Sequence, residues 1–300
     1  MNSLQKVALL GKGKLGSVVL DQLVASGFSV TVLSRNPSDL KNLPFGVNIA
    51  QVDYSSHLSL VAALRGHDVA IATLGFAAIP IQKTIINASI EAGVKRYVPS
   101  DWGSITTDPS ARQFPVNYPF VEIQDFLKDR ANEGKLEYTI FSVGAWLDSV
   151  IDSQFIFDIG TRSIQLYDRG EHPFSSTSLS GIGKAVSGAL NAPEATRNRN
   201  LFIHETVLTQ AMIFEMAKKY SPPGTEWTVT GLDAGKELDE SLRGLEKDPK
   251  DYKLIYRLLK AALLSGTYRA AYEKVDNEIV GVPIFTGEEI GAVFAPTFQQ

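Results

Sequence analysis

The stretch that most constrains the fold is Gly11-Lys12-Gly13-Lys14-Leu15-Gly16. A short apolar run, Val7-Ala8-Leu9-Leu10, stands before it. Apolar residues at helical spacing follow it, from Ser17 to Val24. The glycines therefore sit where a buried strand turns into a helix, and that context raises G-x-G-x-x-G above a chance match. Gly11 permits a tight turn, Gly13 leaves the backbone open to a pyrophosphate, and Gly16 lets helix and strand pack closely. The helix start presents unpaired N–H groups and a partial positive charge to the phosphates. The loop from Gly11 to Gly16, with Lys12, Lys14 and Leu15, is the expected cradle.

The unit continues in the same rhythm. Phe28–Leu33 is β-branched and apolar, a second strand, and it ends in Ser34-Arg35-Asn36-Pro37. Roughly 20 residues past the glycines, a dinucleotide fold chooses its cofactor: an acidic residue there bonds the ribose 2′-OH of NAD. This chain offers Arg35, whose guanidinium fork matches a 2′-phosphate, so the expected cofactor is NADPH. Lys41 is an ordinary surface cation or a second charge for that phosphate. Val47–Val52 is a third strand closed by Asp53-Tyr54; Asp53 either accepts from the adenine amine or caps a helix over 56–65. Val69–Leu74 is a fourth strand ending at Gly75-Phe76, and a helix follows over 80–92. Arg96–Pro99 is a fifth strand, opening into Ser100-Asp101-Trp102-Gly103. A loop rich in Ser, Thr, Asp and Pro leads to a helix over 120–133, and a sixth strand, Leu136–Phe141, stops at Ser142-Val143-Gly144-Ala145-Trp146. Ligands bind outside the carboxyl ends of such strands, so Gly11, Arg35, Asp53, Gly75, Ser100 and Gly144 are expected to rim one crevice.

The totals exclude several classes. The chain has 300 residues and a net charge of −4, which argues against a nucleic-acid partner. It has no cysteine, and its four histidines, at 57, 67, 172 and 204, lack a metal-ligand spacing, so no metal is expected. No apolar run is long enough to span a membrane, and the first strand begins almost at the N-terminus. The expectation is a cytoplasmic monomer or homodimer with a small-molecule substrate.

With these residues in view, the chain resembles the NmrA-like and isoflavone-reductase-like group of atypical short-chain dehydrogenases. The supporting stretches are Val7–Gly16, Leu33-Ser34-Arg35, Val52-Asp53-Tyr54, Ala72-Thr73-Leu74-Gly75 and Val94–Gly103. The last reads V-K-R-Y-V-P-S-D-W-G against a family pattern of V-K-R-F-x-P-S-E-F-G. The resemblance weakens after Gly103 and ends near Trp227. It implies an α/β fold: a Rossmann-type doubly wound parallel sheet over 1–150, and a smaller α/β substrate region over 151–300 partly interleaved with it. It also implies that Ser34, Tyr54, Leu74 and Phe76 belong to the NADP(H) site. Reducing members act on phenylpropanoid-like and other small organic molecules; the NmrA regulators bind the dinucleotide without turnover.

Two departures bear on mechanism. The glycine motif is one residue shorter than the family's common G-x-x-G-x-x-G. The family's reductases carry a lysine at the start of the helix after the Pro-Ser-Glu-Phe-Gly loop; here that stretch reads Pro119-Phe120-Val121. A positioned general acid contributes roughly 10²–10⁴-fold, so its loss weakens a reductase without forbidding one. Tyr118 and Asp101 are the candidate proton donors, with Ser100 or a water behind them. Phe120 with Phe76, Trp102 and Trp146 makes an aromatic pocket that suits a flat apolar substrate. Three readings stay open: an NADPH-dependent reductase, a dinucleotide-binding sensor, and a non-redox isomerase or cyclase. Tyr256-x-x-x-Lys260 matches the short-chain dehydrogenase pair but lies in a late amphipathic helix, far from the crevice in sequence.

In the second half, Ser163–Tyr167 and Pro173–Ser175 flank Asp168-Arg169-Gly170 as an expected hairpin, with His172 a surface residue or a substrate contact. Helices are expected over 179–190, 207–220 and 251–265, with a solvated charged face over 236–250. Leu201–Ile203 is expected to return to the sheet. The tail from Val280 to Gln300 is expected to cover the crevice or to pack on the main domain.

Overall fold

A computed structural model describes residues 4–152 and 155–299; Gln300, at the end of the tail considered above, lies outside them. Six strands appear in the expected order: β1 (Lys6–Leu10), β2 (Ser29–Ser34), β3 (Asn48–Gln51), β4 (Val69–Ala72), β5 (Arg96–Val98) and β6 (Glu137–Ser142). A seventh, Arg199–Phe202, comes from the second half and pairs parallel with β6. Across the sheet the order is Arg199–Phe202, β6, β5, β4, β1, β2, β3, and every pairing is parallel. Strands covered on both faces read as unbroken apolar runs, and Val7, Ala8, Leu9 and Leu10 are all fully buried. The strand order reverses between β1 and β4, the switch point at which such sheets open a crevice. The fold is a doubly wound, Rossmann-type α/β sheet with smaller sheets in the C-terminal part.

The helices after the strands are α1 (Lys14–Ala25), α2 (His57–Leu64), α3 (Gln82–Glu91) and α4 (Tyr118–Asn132). Ser56 caps α2 by accepting from the Ser59 amide. Asp53 is therefore not the cap: its carboxylate closes a local turn on the amide and hydroxyl of Ser55.

Asp68 ties three strands together. Its carboxylate accepts from the Gln5 and Lys6 amides at 3.0 and 2.9 Å, and from Lys95 Nζ at 2.8 Å. Burial pushes this carboxyl up, but the bonds from Lys95, Lys6 and Gln5 outweigh it and hold the group below the usual carboxylate range. A depressed carboxyl adds stability above its unfolded value, and that stability is lost as pH falls through the folded value. Asp68→Asn is expected to cost about 1 kcal/mol at neutral pH and to flatten the acid side of a melting-temperature profile. An unchanged acid limb would show that the bonds add nothing.

Three outcomes differ from the expectations for the second half. Ser163–Tyr167 and Phe174–Thr177 do not form a hairpin. The first pairs with Phe157–Asp158 and Thr228–Leu232; the second pairs with Ala145–Trp146 and Thr206–Leu208. The turn between them has left-handed backbone at both Asp168 (φ 45°) and Arg169 (φ 65°). It is also held from outside, because Asp168 accepts from the Ala234 amide. The helix expected over 207–220 starts at Gln210, since Thr206–Leu208 is strand and Thr209 caps the helix. The tail divides: Val280 and Val282 pack into the core beneath the main sheet, while the helix Gly287–Phe298 buries Phe294 and Phe298 in the second core, with Ile213 and Ala217 of the helix Gln210–Tyr220. None of its described residues lines the groove or the apolar cavity described below.

Candidate functional site

The glycine loop is built as its spacing requires. Gly11 has φ +99°, and a Cβ there would stand 2.8 Å from the Thr73 carbonyl oxygen. A Cβ on Gly16 would meet the Gly11 carbonyl oxygen at 2.3 Å and Thr73 Oγ1 at 2.6 Å, whereas one on Gly13 would meet nothing within 4 Å. So Gly11 and Gly16 are packing glycines and Gly13 faces open space. Gly13 is also the N-cap of α1 and leaves the helix without a side-chain cap, so first-turn amides stay available to an anion. These features fit a dinucleotide pyrophosphate. Thr73, absent from the expected site, fastens the loop: its hydroxyl donates to the Gly11 carbonyl at 2.8 Å. Its signal in the sequence was only its place at the end of the fourth strand.

Gly13, Lys14, Leu15, Thr73, Leu74, Gly75, Phe76 and Ser100 line one groove, of about 390 Å³, over the strand ends. Ser100 is nearly buried; its hydroxyl donates to the Leu74 carbonyl at 2.6 Å and its amide to Gln82 Oε1 at 2.7 Å. The Ser100 hydroxyl proton is thus committed to the wall of the groove. Arg35 and Asp53 lie farther out, together in a separate depression with Gln51 and Ser59. Lys12 Nζ donates to the Lys41 carbonyl at 3.3 Å, drawing the segment after Arg35 toward the glycine loop. Ser34 accepts from the Asn36 amide and shapes the turn behind Arg35.

Several expected site residues stand elsewhere. Tyr54 turns into the fold and donates to the Leu33 carbonyl, and burial pushes its phenol up to about 12. Gly144 lines the apolar cavity rather than the groove. It has φ +70°, and a Cβ there would stand 2.1 Å from the Ser175 carbonyl oxygen. Tyr118 is 55% exposed and lines neither space. Side chains two positions apart on a helix point about 200° apart, so the turn that brings Phe120 inward carries Tyr118 out. Asp101 lines neither space and is fully buried, with its carboxylate held by Thr106 Oγ1 at 2.6 Å and Gln124 Nε2 at 2.7 Å.

Beyond the groove lies an apolar cavity of about 420 Å³. Phe76, Gly103, Thr106, Phe120 and Trp146 line both spaces and form the junction. Phe76 and Phe120 meet with ring centroids 5.8 Å apart. Trp146 is oriented by its indole N–H donating to the Trp102 carbonyl at 2.9 Å. Trp102 belongs to the floor of the groove, stacked on Phe141 and donating to the Ala72 carbonyl. The far wall comes from Val150, Phe155, and Leu259 and Leu263 of the helix Tyr252–Leu264. That helix reaches the cavity, yet its Tyr256 and Lys260 do not line it: Tyr256 packs edge-on against Phe155, and Lys260 lies over the Tyr167 ring. The Tyr-x-x-x-Lys spacing is therefore coincidental. His172 stands away from both spaces, 3.4 Å from Asp168.

Comparison with known proteins agrees with this geometry. The NAD(P)H-binding family profile matches residues 11–160. The chain is 31% identical over 291 residues to the oxidoreductase aprR of Aspergillus flavus, covering 95% of this chain and 97% of that one. Among solved structures it is similar to an isoflavone reductase (TM-score 0.77, 20% identity, covering 99% and 100% of the two chains). It is also similar to AtPrR2, solved with NADP+ and (+)pinoresinol (TM-score 0.70, 19% identity, 99% and 100%). Fold, groove and profile together define an NAD(P)H-binding protein, in line with the NADPH expected from the sequence. Within that class, the chain belongs to the NmrA-like, isoflavone-reductase-like family. No helix among the described residues is long and apolar enough to cross a membrane, and no cluster among them could hold a metal ion.

Proposed function

We propose that this protein is an NADPH-dependent reductase of a small, flat, largely apolar organic molecule. The observation that carries the reading is the junction. A groove built for a dinucleotide opens directly, past Phe76, Phe120 and Trp146, into a cavity walled by aliphatic and aromatic side chains. A sensor that only bound the dinucleotide would have no use for the second space. In this reading the glycine loop and the first turn of α1 hold the pyrophosphate, and Arg35 takes the 2′-phosphate. Residues 151–300 complete the substrate side through Phe155, Leu259 and Leu263. A bound NADPH supplies the hydride; the chain positions the acceptor and excludes water from it.

Phe120 occupies the position of the family's lysine, and its ring faces Phe76. That observation favours the non-redox step as the second reading. The two separate in one measurement: NADPH absorbance falls with an aryl aldehyde or ketone panel in a reductase, and stays constant while the substrate is converted in an isomerase. Phe120→Ala removes a half-buried ring from the junction. It is expected to raise the substrate KM about tenfold, the equivalent of partial loss of a phenylalanine's 1.5–3 kcal/mol of burial, with NADPH affinity nearly unchanged. A KM equal to wild type would place the substrate elsewhere.

A further inference from the structure

The junction contains one hydroxyl that is backed by a buried carboxyl. Thr106 lines both the groove and the apolar cavity. Its Oγ1 donates to Asp101 Oδ1 at 2.6 Å. The other carboxylate oxygen accepts from Gln124 Nε2 at 2.7 Å, and the same amide reaches the Thr106 carbonyl at 3.2 Å. Gln124 thus fixes both the carboxyl and the backbone that carries Thr106. Gly103 makes the room: a Cβ there would press on Thr106 Cγ2 at 3.1 Å and Oγ1 at 3.2 Å. Of the other hydroxyls lining the groove, Ser100 is spent on the Leu74 carbonyl and Thr73 on the glycine loop; the Ser104 hydroxyl on the cavity wall is buried without a partner and has no carboxyl behind it.

We propose that Thr106 hands the proton to the substrate oxygen, with Asp101 behind it as the positioning residue that resupplies it. The assignment rests on the reductase reading above and names the group that stands in for the missing lysine. With Asp101 protonated, its O–H donates to Thr106 Oγ1 across the same 2.6 Å contact, and the Thr106 O–H is free to turn toward the substrate. As hydride reaches a carbonyl carbon, the π pair moves onto the oxygen. That oxygen forms its O–H bond with the Thr106 proton as the Thr106 O–H breaks. The proton on Asp101 moves to Thr106 Oγ1, leaving a carboxylate that accepts from Thr106 and Gln124. Water entering after product release returns a proton through Thr106. Burial holds the Asp101 carboxyl above the usual carboxylate range, although Thr106 and Gln124 pull it down. Tyr272 is the titratable group near it; its phenol, pushed up by burial, is tied to the Ser104 carbonyl and the Gly144 amide.

The test uses the full chain with NADPH and naphthaldehyde as the probe. Thr106→Val is expected to lower kcat by roughly 10²-fold, the lower end of what a placed proton donor contributes, with little change in KM for NADPH. Thr106→Ser keeps the hydroxyl and is expected to restore most of the rate. Because the relay needs Asp101 protonated, wild-type kcat falls as pH rises through the Asp101 titration; Asp101→Asn is expected to be slower and to lack that limb. Without turnover, calorimetry on the NADP+ complex should show naphthaldehyde binding weakened in Thr106→Val and retained in Thr106→Ser. Should Asp101→Asn fail to fold, the Val and Ser variants decide alone. A Thr106→Val enzyme as fast as wild type overturns the proposal while leaving the reductase reading intact, as does a variant that loses NADPH affinity in step with kcat. A wild type that consumes no NADPH with any aryl aldehyde or ketone overturns the reductase reading, and the proposal with it.

Discussion

Gly16→Val is expected to abolish NADPH binding and to lower the melting temperature. The added Cβ would lie 2.3 Å from a backbone oxygen, that of Gly11, and 2.6 Å from Thr73 Oγ1. A flexible side chain can move aside, but the Gly11 carbonyl is held by the Thr73 hydroxyl and by the tight turn itself. The helix must therefore tilt off the strand. Overpacking of this kind costs about 1–3 kcal/mol, and the tilt withdraws the first-turn amides from the phosphates. Gly13→Ala is the control. Its Cβ enters empty space, so the melting temperature should hold while binding weakens, because the methyl group occupies the approach to the backbone. Titration calorimetry and thermal melting separate the two effects. A Gly16→Val protein that binds NADPH normally would show that the loop is not the pyrophosphate site.

Arg35→Ala is expected to remove most of the preference for NADPH over NADH, by about 10²–10⁴-fold. Hydrogen bonds to charged groups contribute about 1.5–3 kcal/mol each, and a guanidinium meets a phosphate through two of them. NADH lacks the 2′-phosphate, so its affinity should stay close to that of wild type. The depression around Arg35 also holds Asp53, whose carboxylate is kept below the usual range by the Ser55 hydroxyl and amide. If Arg35 takes the 2′-phosphate as proposed, that fixed negative charge in the same depression leaves Arg35 as the group that sets the sign of the preference. Equal wild-type affinity for the two cofactors would remove Arg35 from that role.

The first half was legible because β1, β4, β5 and β6 are buried on both faces and the strand ends carry a glycine or a small polar residue, while the exposed edge strand β3 was marked by its place in the alternation. Those patterns survive without tertiary information. The strand Thr228–Leu232 was not legible: Thr228, Val229, Thr230 and Gly231 are exposed, so no apolar alternation marks it. The hairpin expectation failed because a left-handed turn looks alike in sequence whether its strands pair or part. Within the site, the glycine loop and Phe120 could be read from local spacing. Thr106 could not, because its role comes from Asp101 and Gln124 meeting it across folded elements. Leu259 and Leu263 could not either, since cavity walls and core stripes share one periodicity.

The strand Arg199–Phe202 carries a consequence for how the chain is made. It forms the outer edge of the main sheet, and Arg96 of β5 is locked to it indirectly, through Glu137, the Thr196 hydroxyl and the Pro193 carbonyl. The helix Leu179–Asn191 covers α1, with Gly183 packed against Val18 and Gln22. During synthesis, the dinucleotide half therefore emerges from the ribosome with one edge unpaired and one helix uncovered. It waits for about fifty further residues, several seconds at ordinary elongation rates, before the sheet can close. A truncation near residue 150 would freeze the chain in that exposed intermediate, so work on this cofactor site calls for the whole polypeptide.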